Sequence, residues 1–135
     1  MSALTAVCVA LGAAVGAPLR YLIDRAVRAR RRGEFPWGTF TVNMIGSFGI
    51  GALTGAVAAL PPETVSAPLQ AALGMGFCGA LTTYSTLSYE TIALLEDRSP
   101  GYALANLIGS AIAGLAVAAL GCWTVQAALL TVSAG

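Results

Sequence analysis

The residues with the clearest chemical potential lie in Leu73–Glu90, LGMGFCGALTTYSTLSYE, which is uncharged before its last residue. Glycines flank a run of threonine, serine and tyrosine hydroxyls, which can hydrogen-bond to an ion. Non-helical backbone at membrane depth is tolerated only where it is buried in protein or lines a wet cavity. We therefore predict a helix break near Gly79 to Thr83, where freed carbonyls could hold a small cation and freed amides could face an anion.

The composition predicts a membrane protein. The 135-residue chain is 57% hydrophobic, 10% charged and free of His, whereas a soluble domain is about 25% charged. Each of four uncharged stretches can supply the roughly 20 apolar residues that cross a hydrocarbon core of about 30 Å. We predict an all-α integral membrane protein with four transmembrane helices, the third broken near mid-membrane, in a single domain over residues 1–135. The helices are expected over about 3–24, after 38, over about 68–95 and from about 101.

Several other classes of function are disfavoured by the sequence. The first span lacks a basic region before its apolar core, so it is interpreted as a retained helix and not as a signal peptide. Cys8, Cys78 and Cys122 fall in three different spans, which favours apolar packing over a disulfide framework or a metal site. No nucleophile–base pair, phosphate loop or cofactor fingerprint is present, and we therefore predict that the chain is not an enzyme.

Arginines set the expected orientation. The loop after the first helix carries five of them, Arg25, Arg28, Arg30, Arg31 and Arg32. Because this loop is tied to two membrane helices, it is not interpreted as a nucleic-acid patch, and the positive-inside rule places it in the cytoplasm. Arg20, at the membrane edge, either snorkels towards the interface or attracts an anion to a pore mouth. Glu90 could cap, pair with an Arg or lie among lipid headgroups, and the last is expected.

Small and polar residues recur at helical spacing on three helices. Gly12 and Gly16 form a GxxxG pair, which is typical of close helix approach. Two further stripes repeat every four residues and so lie along one face each: Asn43, Ser47, Gly51 and Gly55, then Tyr102, Asn106, Ser110 and Gly114. Each stripe is explained either by helix–helix contact or by a polar path through the membrane.

Three blocks resemble the bacterial fluoride channel family, Fluc/CrcB: GAPLRY at 16–21, WGTFTVNMIGSFGIG at 37–51 and GFCGALTTYSTLSYE at 76–90. The resemblance covers all four spans in order, and the third block is the most specific. It implies an antiparallel dimer in the cell membrane, with two narrow pores that export fluoride passively and selectively.

The resemblance also implies roles for individual residues. A structural Na⁺ at the dimer centre, not itself transported, would be held by the backbone carbonyls of Gly79 and Thr82. Asn43 falls on the pore amide and Arg20 on the vestibule arginine. The polar track of the fourth helix falls on Asn106 and Ser110.

The chain departs from the family at two positions. The family carries two Phe whose ring edges line the anion path, and here Tyr84 and Leu87 stand there. Leu87 offers neither a positive ring edge nor a donor, so a poorly conducting partner subunit of a heterodimeric channel is one alternative. A small four-helix transporter is a second alternative, although residues 2–19 lack the carboxylate that such transporters commonly use. Both a homodimer and a heterodimer with a related, oppositely oriented chain remain open.

Overall fold

The chain folds into helices joined by short loops in a computed structural model that describes residues 2–31 and 33–133, and no strand occurs among them. The α-helices are α1 (Ala3–Arg30), α2 (Trp37–Ala59), α3 (Ala67–Gln70), α4 (Gly79–Leu81), α5 (Tyr84–Glu96), α6 (Pro100–Leu104) and α7 (Ser110–Ser133). A first π-helical segment, Ala71–Cys78, joins α3 to α4, and a second, Ala105–Gly109, joins α6 to α7.

Three helical stretches are long and apolar enough to cross a membrane: Ala3–Arg30, Trp37–Ala59 and Pro100–Val132. A fourth helical region runs from α3 to α5 but is interrupted after α4, so it does not count as one long helix. The prediction of an all-helical membrane protein with four helical regions is confirmed at this level.

The first helix is longer than predicted. It was expected to end near Asp24, but α1 continues to Arg30. Asp24 and Arg28, one turn apart, form an ion pair that supports the extra turns, and arginines in the last turn suit the negative end of the helix dipole. At 1.5 Å per residue the 28-residue helix is about 42 Å long, so its arginine-rich end extends past the hydrocarbon core. Arg32 of the predicted basic loop lies outside the described residues.

The predicted glycine surface of α1 is confirmed as a site of close approach. A Cβ at Gly12 would collide with the carbonyl of Ala72, and one at Gly16 with the carbonyl of Phe77. From the other side, a Cβ at Gly76 would meet the carbonyl of Val9 at 2.5 Å. The missing side chains let α1 pack directly on the backbone of the first π-helical segment, which fixes the position of the segment that follows it.

A second glycine seam joins α2 to α7. A Cβ at Gly51 would collide with the carbonyl of Ala118, and one at Gly55 with the carbonyl of Cys122. Gly121 of α7 lies equally close to the carbonyl of Phe48. The C-terminal half of the α2 stripe, Gly51 and Gly55, thus makes a helix–helix contact with α7. Its N-terminal half, Asn43 and Ser47, does not make this close backbone contact.

Candidate functional site

Two extended residues, Thr82 and Thr83, interrupt the helical run between α4 and α5, with φ, ψ of −78°, 158° and −148°, 120°. The N–H and the hydroxyl of Thr82 both donate to the carbonyl of Cys78, at 2.9 and 3.0 Å, and end the upstream helix. The hydroxyl of Thr83 caps α5 by accepting from the N–H of Thr86 at 3.2 Å. The interruption is narrower than the expected 79–83, because Gly79–Leu81 stays helical.

Asn43 of α2 binds the interruption through its backbone. Its Oδ1 accepts from the N–H of Thr83 at 2.8 Å, and its Nδ2 donates to the carbonyl of Thr83 at 3.3 Å. One amide side chain thereby satisfies both backbone groups of a residue that has left the helix. Because the N–H of Thr83 can only donate, the pairing also identifies the oxygen of the Asn43 amide. One Nδ2 hydrogen of Asn43 remains for another acceptor.

Two carbonyls at the interruption lose their helical donors. In a continuous helix the N–H of Thr83 would donate to the carbonyl of Gly79, but it is committed to Asn43. The N–H of Thr86 would reach the carbonyl of Thr82, but it donates to the hydroxyl of Thr83. Neither the Gly79 nor the Thr82 carbonyl has a hydrogen-bond partner among the described residues. Both are hard oxygen donors of the kind that small cations bind.

A cavity of about 570 Å³ opens beside the interruption, between α2, α5 and α7. Its polar lining consists of Asn43, Ser47, Thr82, Thr83, Tyr84 and Ser110. Leu87 also lines it and is buried, whereas Tyr84 is 77% exposed at the surface of the chain. The hydroxyl of Ser110 is buried without a hydrogen-bond partner among the described residues. Four of the residues expected in an anion path, namely Asn43, Tyr84, Leu87 and Ser110, are thus brought together in one cavity.

Arg20 does not line this cavity but a smaller one of about 150 Å³. The smaller cavity, which we call the vestibule, is lined by Arg20, Tyr21, Asp24, Thr39, Val42, Thr83 and Thr86. Thr83 is the one residue named in both linings. The arginine cavity and the hydroxyl-lined cavity therefore lie on two sides of the same interrupted backbone.

Asn106 lies behind the larger cavity and does not line it. It is fully buried, and its Nδ2 donates to the carbonyl of Leu87 at 3.3 Å and to the hydroxyl of Thr91 at 3.0 Å. Thr91 in turn donates to the carbonyl of Leu87 at 2.7 Å. Both N–H groups of Asn106 are committed to α5, so the amide fixes the cavity wall from behind.

Glu90 pairs with an arginine, so the expectation that it lies among headgroups is wrong. Its Oε1 is 2.6 Å from Nη2 of Arg28, and its side chain is only 12% exposed. The partners are 62 residues apart in sequence, and they meet because α1 continues past its predicted end. The pair ties the C-terminal end of α1 to α5, the helix that carries Tyr84 and Leu87.

Two residues of this site were not singled out from the sequence. Thr83 has a readable signal, since a threonine just before a helix is a preferred cap. Thr91 has none, because its importance depends on an amide that reaches it from another helix. No cluster of three or more His, Cys, Asp or Glu able to hold a metal was found among the described residues, so backbone carbonyls are the best oxygen ligands near the interruption.

These features define a multi-pass helical membrane protein with a cavity, lined by both polar and apolar residues, beside an interrupted helix. The chain belongs to the CrcB family: the family described as "CrcB-like protein, Camphor Resistance (CrcB)" matches residues 7–122.

Relatives carry more specific names. The chain is 53% identical over 116 residues to a protein of Streptomyces avermitilis named "Fluoride-specific ion channel FluC 1", covering 86% of this chain and 91% of the relative. It is 54% identical over 112 residues to a protein of the same name from Frankia casuarinae, covering 82% and 87%. A Mycobacterium tuberculosis protein named "Fluoride-specific ion channel FluC 2" is 43% identical over 134 residues, covering 93% and 99%. These relatives are named as channels, in agreement with the prediction that the chain is not an enzyme.

Proposed function

We propose that this chain forms a fluoride-selective channel, a single four-helix domain that lets F⁻ leave the cytoplasm passively and so lowers fluoride toxicity. One observation carries the proposal: amide and hydroxyl donors from three helices converge on one cavity beside the helix interruption. A small, strongly hydrated anion crosses a membrane only where protein groups replace its water shell. The names of the relatives support fluoride as that anion.

The residues that border the two cavities have different roles in the proposed passage of fluoride. Arg20 draws the anion into the vestibule, and Thr83 separates the vestibule from the larger cavity. In that cavity Asn43 offers its remaining Nδ2 hydrogen, and Ser110 and Tyr84 offer hydroxyls. Asn106 has no free N–H, so its role is to hold the wall formed by α5.

Fluoride efflux from liposomes that contain this protein alone tests the proposal. A fluoride-selective electrode should record rapid efflux when a K⁺ ionophore removes the opposing potential, and chloride efflux from matched liposomes should remain at the protein-free rate. Equal fluoride and chloride efflux would remove the claim of selectivity. No fluoride efflux from the chain alone would favour the alternative of a poorly conducting subunit that requires a partner.

We further propose a structural Na⁺ at the centre of an antiparallel dimer, bound by the carbonyls of Gly79 and Thr82. The support is that both carbonyls lack hydrogen bonds and that Gly79 is exposed at the surface of the chain. When bound, the cation would supply a fixed positive charge and link the interruptions of two subunits.

Replacement of Na⁺ by a large organic cation should lower the thermal stability of the purified dimer and its fluoride efflux. Gly79→Val should have the same effect by crowding the carbonyl. Gly79→Ala should be milder, because its Cβ would meet only the carbonyl of Gly74 at 3.6 Å. Thr82→Ala should also be mild, because the ligand is a main-chain atom. Unchanged stability and efflux without Na⁺ would refute the site.

The identity of the second subunit follows from the arginine bias. An antiparallel dimer needs two chains inserted in opposite senses, and Lys and Arg in short loops set that sense. All seven basic residues are Arg and lie at residues 20–32 or at Arg98, and none is in 60–66. This asymmetry favours one fixed topology and hence a heterodimer with a related chain of opposite bias. C-terminal topology reporters on the chain expressed alone test this, since comparable signals from both sides of the membrane would remove the case for a different partner chain.

A further inference from the structure

Arg28 is the centre of a three-residue charge cluster that joins two helices. Its Nε lies 2.8 Å from Oδ1 and 2.9 Å from Oδ2 of Asp24, and its Nη2 lies 2.6 Å from Oε1 of Glu90. One guanidinium therefore balances two carboxylates. The second oxygen of Glu90 is buried with no hydrogen-bond partner among the described residues, so no other described donor shares in neutralising it.

Of the two carboxylates, Asp24 borders the route that the anion is proposed to take, and Glu90 does not. Asp24 lines the vestibule together with Arg20 and Thr83. It also lies against Gly38 at the start of α2, so close that a Cβ on that glycine would collide with its carboxylate. Glu90 lines a separate cavity of about 200 Å³, where the other charged residues are Arg28, Arg31, Glu34 and Asp97. Partial burial weakens the screening of these charges by salt, because water and counterions reach them incompletely.

We propose that Arg28 is a positioning residue for anion access: by holding and neutralising Asp24 and Glu90, it leaves Arg20 to set the electrostatic potential of the vestibule. With Arg28 present, the side chains of Arg20, Asp24, Arg28 and Glu90 together carry no net formal charge. Without it, they carry one net negative charge, and Asp24 faces the incoming anion uncompensated. This inference rests on the proposed function, since it assigns Arg28 a part in the passage of fluoride.

The test is initial fluoride efflux from liposomes at low and high ionic strength, set with the salt of an impermeant organic anion. Arg28→Gln is expected to reduce efflux about tenfold at low salt, and high salt should recover only a small part of that loss because it screens the partly buried Asp24 carboxylate incompletely. Arg28→Lys keeps the charge but not the fork that reaches both carboxylates, so its efflux should lie between those of Arg28→Gln and wild type. Arg30→Gln is the matched control, because it removes the same charge from an exposed residue of the same helix that has no ion pair with any described residue.

Two Asp24 variants separate electrostatics from simple helix clamping. Asp24→Asn weakens the cluster but removes negative charge from the vestibule, so efflux should be equal to wild type or higher. Asp24→Asn combined with Arg28→Gln should conduct at least about threefold better than Arg28→Gln alone. A loss of efflux in Asp24→Asn, or no recovery in the double variant, would show a structural clamp and overturn the proposal.

The remaining outcomes distinguish this inference from the proposed function. If the wild-type protein does not conduct fluoride, the proposed function fails first. If it conducts and Arg28→Gln conducts equally well, the inference alone is refuted. An equal loss in Arg30→Gln and Arg28→Gln would indicate a general effect of charge on insertion and would also refute it. If Arg28→Gln cannot be purified, Asp24→Asn still decides, because it tests the sign of the effect in a chain that keeps Arg28.

Discussion

The contact between α2 and α7 is tight along the C-terminal half of α2 and leaves a cavity along its N-terminal half. We call these the closed half and the open half. At Gly51 and Gly55 the α2 backbone lies against main-chain carbonyls of α7 with no room for a side chain. Two turns earlier, at Asn43 and Ser47, the same face of α2 borders a cavity of about 570 Å³. The small and polar residues of α2 keep a four-residue spacing across both halves. This spacing therefore determines which face of α2 points towards α7.

The side chain at each of these positions determines whether the two helices touch or leave a cavity between them. Glycine allows backbone contact and closes the seam, whereas the asparagine amide reaches across to the interrupted backbone at Thr83 and leaves a polar space beside it. On α7 the same change occurs between Gly121, which lies against Phe48, and Ser110, whose hydroxyl is buried without a hydrogen bond among the described residues. The closed half supplies rigidity, and the open half holds the groups that could bind an ion.

The largest effect is expected from breaking the closed half. Gly51→Ala places a Cβ against the carbonyl of Ala118, and because main chain cannot yield as a flexible side chain can, the helices must separate. The free energy of unfolding should fall by about 3 kcal/mol or more, measured by thermal or denaturant unfolding in detergent. Gly109→Ala is the control, since no atom lies within 4 Å of its added Cβ. Equal stability of the two variants would show that the seam does not depend on backbone contact.

The next largest effect is expected in the open half, from Asn43→Ala. The substitution leaves the N–H and the carbonyl of Thr83 without their partner, at a cost of about 1–3 kcal/mol, and removes a donor from the cavity. Fluoride efflux should fall by about tenfold or more. Thr54→Ala, on the same helix with its hydroxyl bonded to the carbonyl of Ile50, should conduct normally. Normal efflux in Asn43→Ala would contradict the assignment of this cavity to the anion path.

Both the closed half and the open half were predictable from sequence only in part. Gly12 and Gly16 correctly indicated a close approach of α1, whereas the stripe that contains Gly51 and Gly55 fitted either helix–helix contact or a polar path. Asn43, Tyr84, Leu87 and Ser110 were expected in one path because of the family resemblance, and the structure brings them into one cavity.

What the sequence could not provide was the partner of each long polar side chain. Asn106 was expected to line the polar track, yet its amide is bound to Leu87 and Thr91 from behind. Glu90 was expected among headgroups, yet it meets Arg28. Both partners lie on other helices, and their positions depend on a π-helical segment and on an added length of α1. No pattern in the sequence predicts the π-helical segment or the extra turns of α1. The register of the helices that carry these partners therefore could not be predicted.

A smaller effect is expected at the cavity wall formed by α5, from Thr91→Val. This nearly isosteric change removes the hydroxyl that accepts from Asn106 and donates to the carbonyl of Leu87. A buried amide hydrogen left without an acceptor costs about 1–3 kcal/mol, and efflux should fall about threefold to tenfold as the wall loosens. Thr91→Ser keeps the hydroxyl and should restore conduction. If Val and Ser variants behave alike, the hydroxyl has no part in positioning Leu87.

The smallest effect in this comparison is a gain, expected from Leu87→Phe, which gives the open half one more favourable group. Leu87 is buried yet lines the cavity, so a larger side chain has space on one side. The edge of an aromatic ring is electropositive, whereas an isobutyl group has no comparable polarity, and such ring contacts contribute about 0.5–1.5 kcal/mol. Efflux should therefore rise about twofold to tenfold at unchanged stability. Tyr84→Leu is the reciprocal change: it removes a ring and a hydroxyl from the same cavity and should lower efflux. If Leu87→Phe reduces efflux while the protein remains folded, the ring at this position obstructs the path, and leucine is then the better residue for this chain.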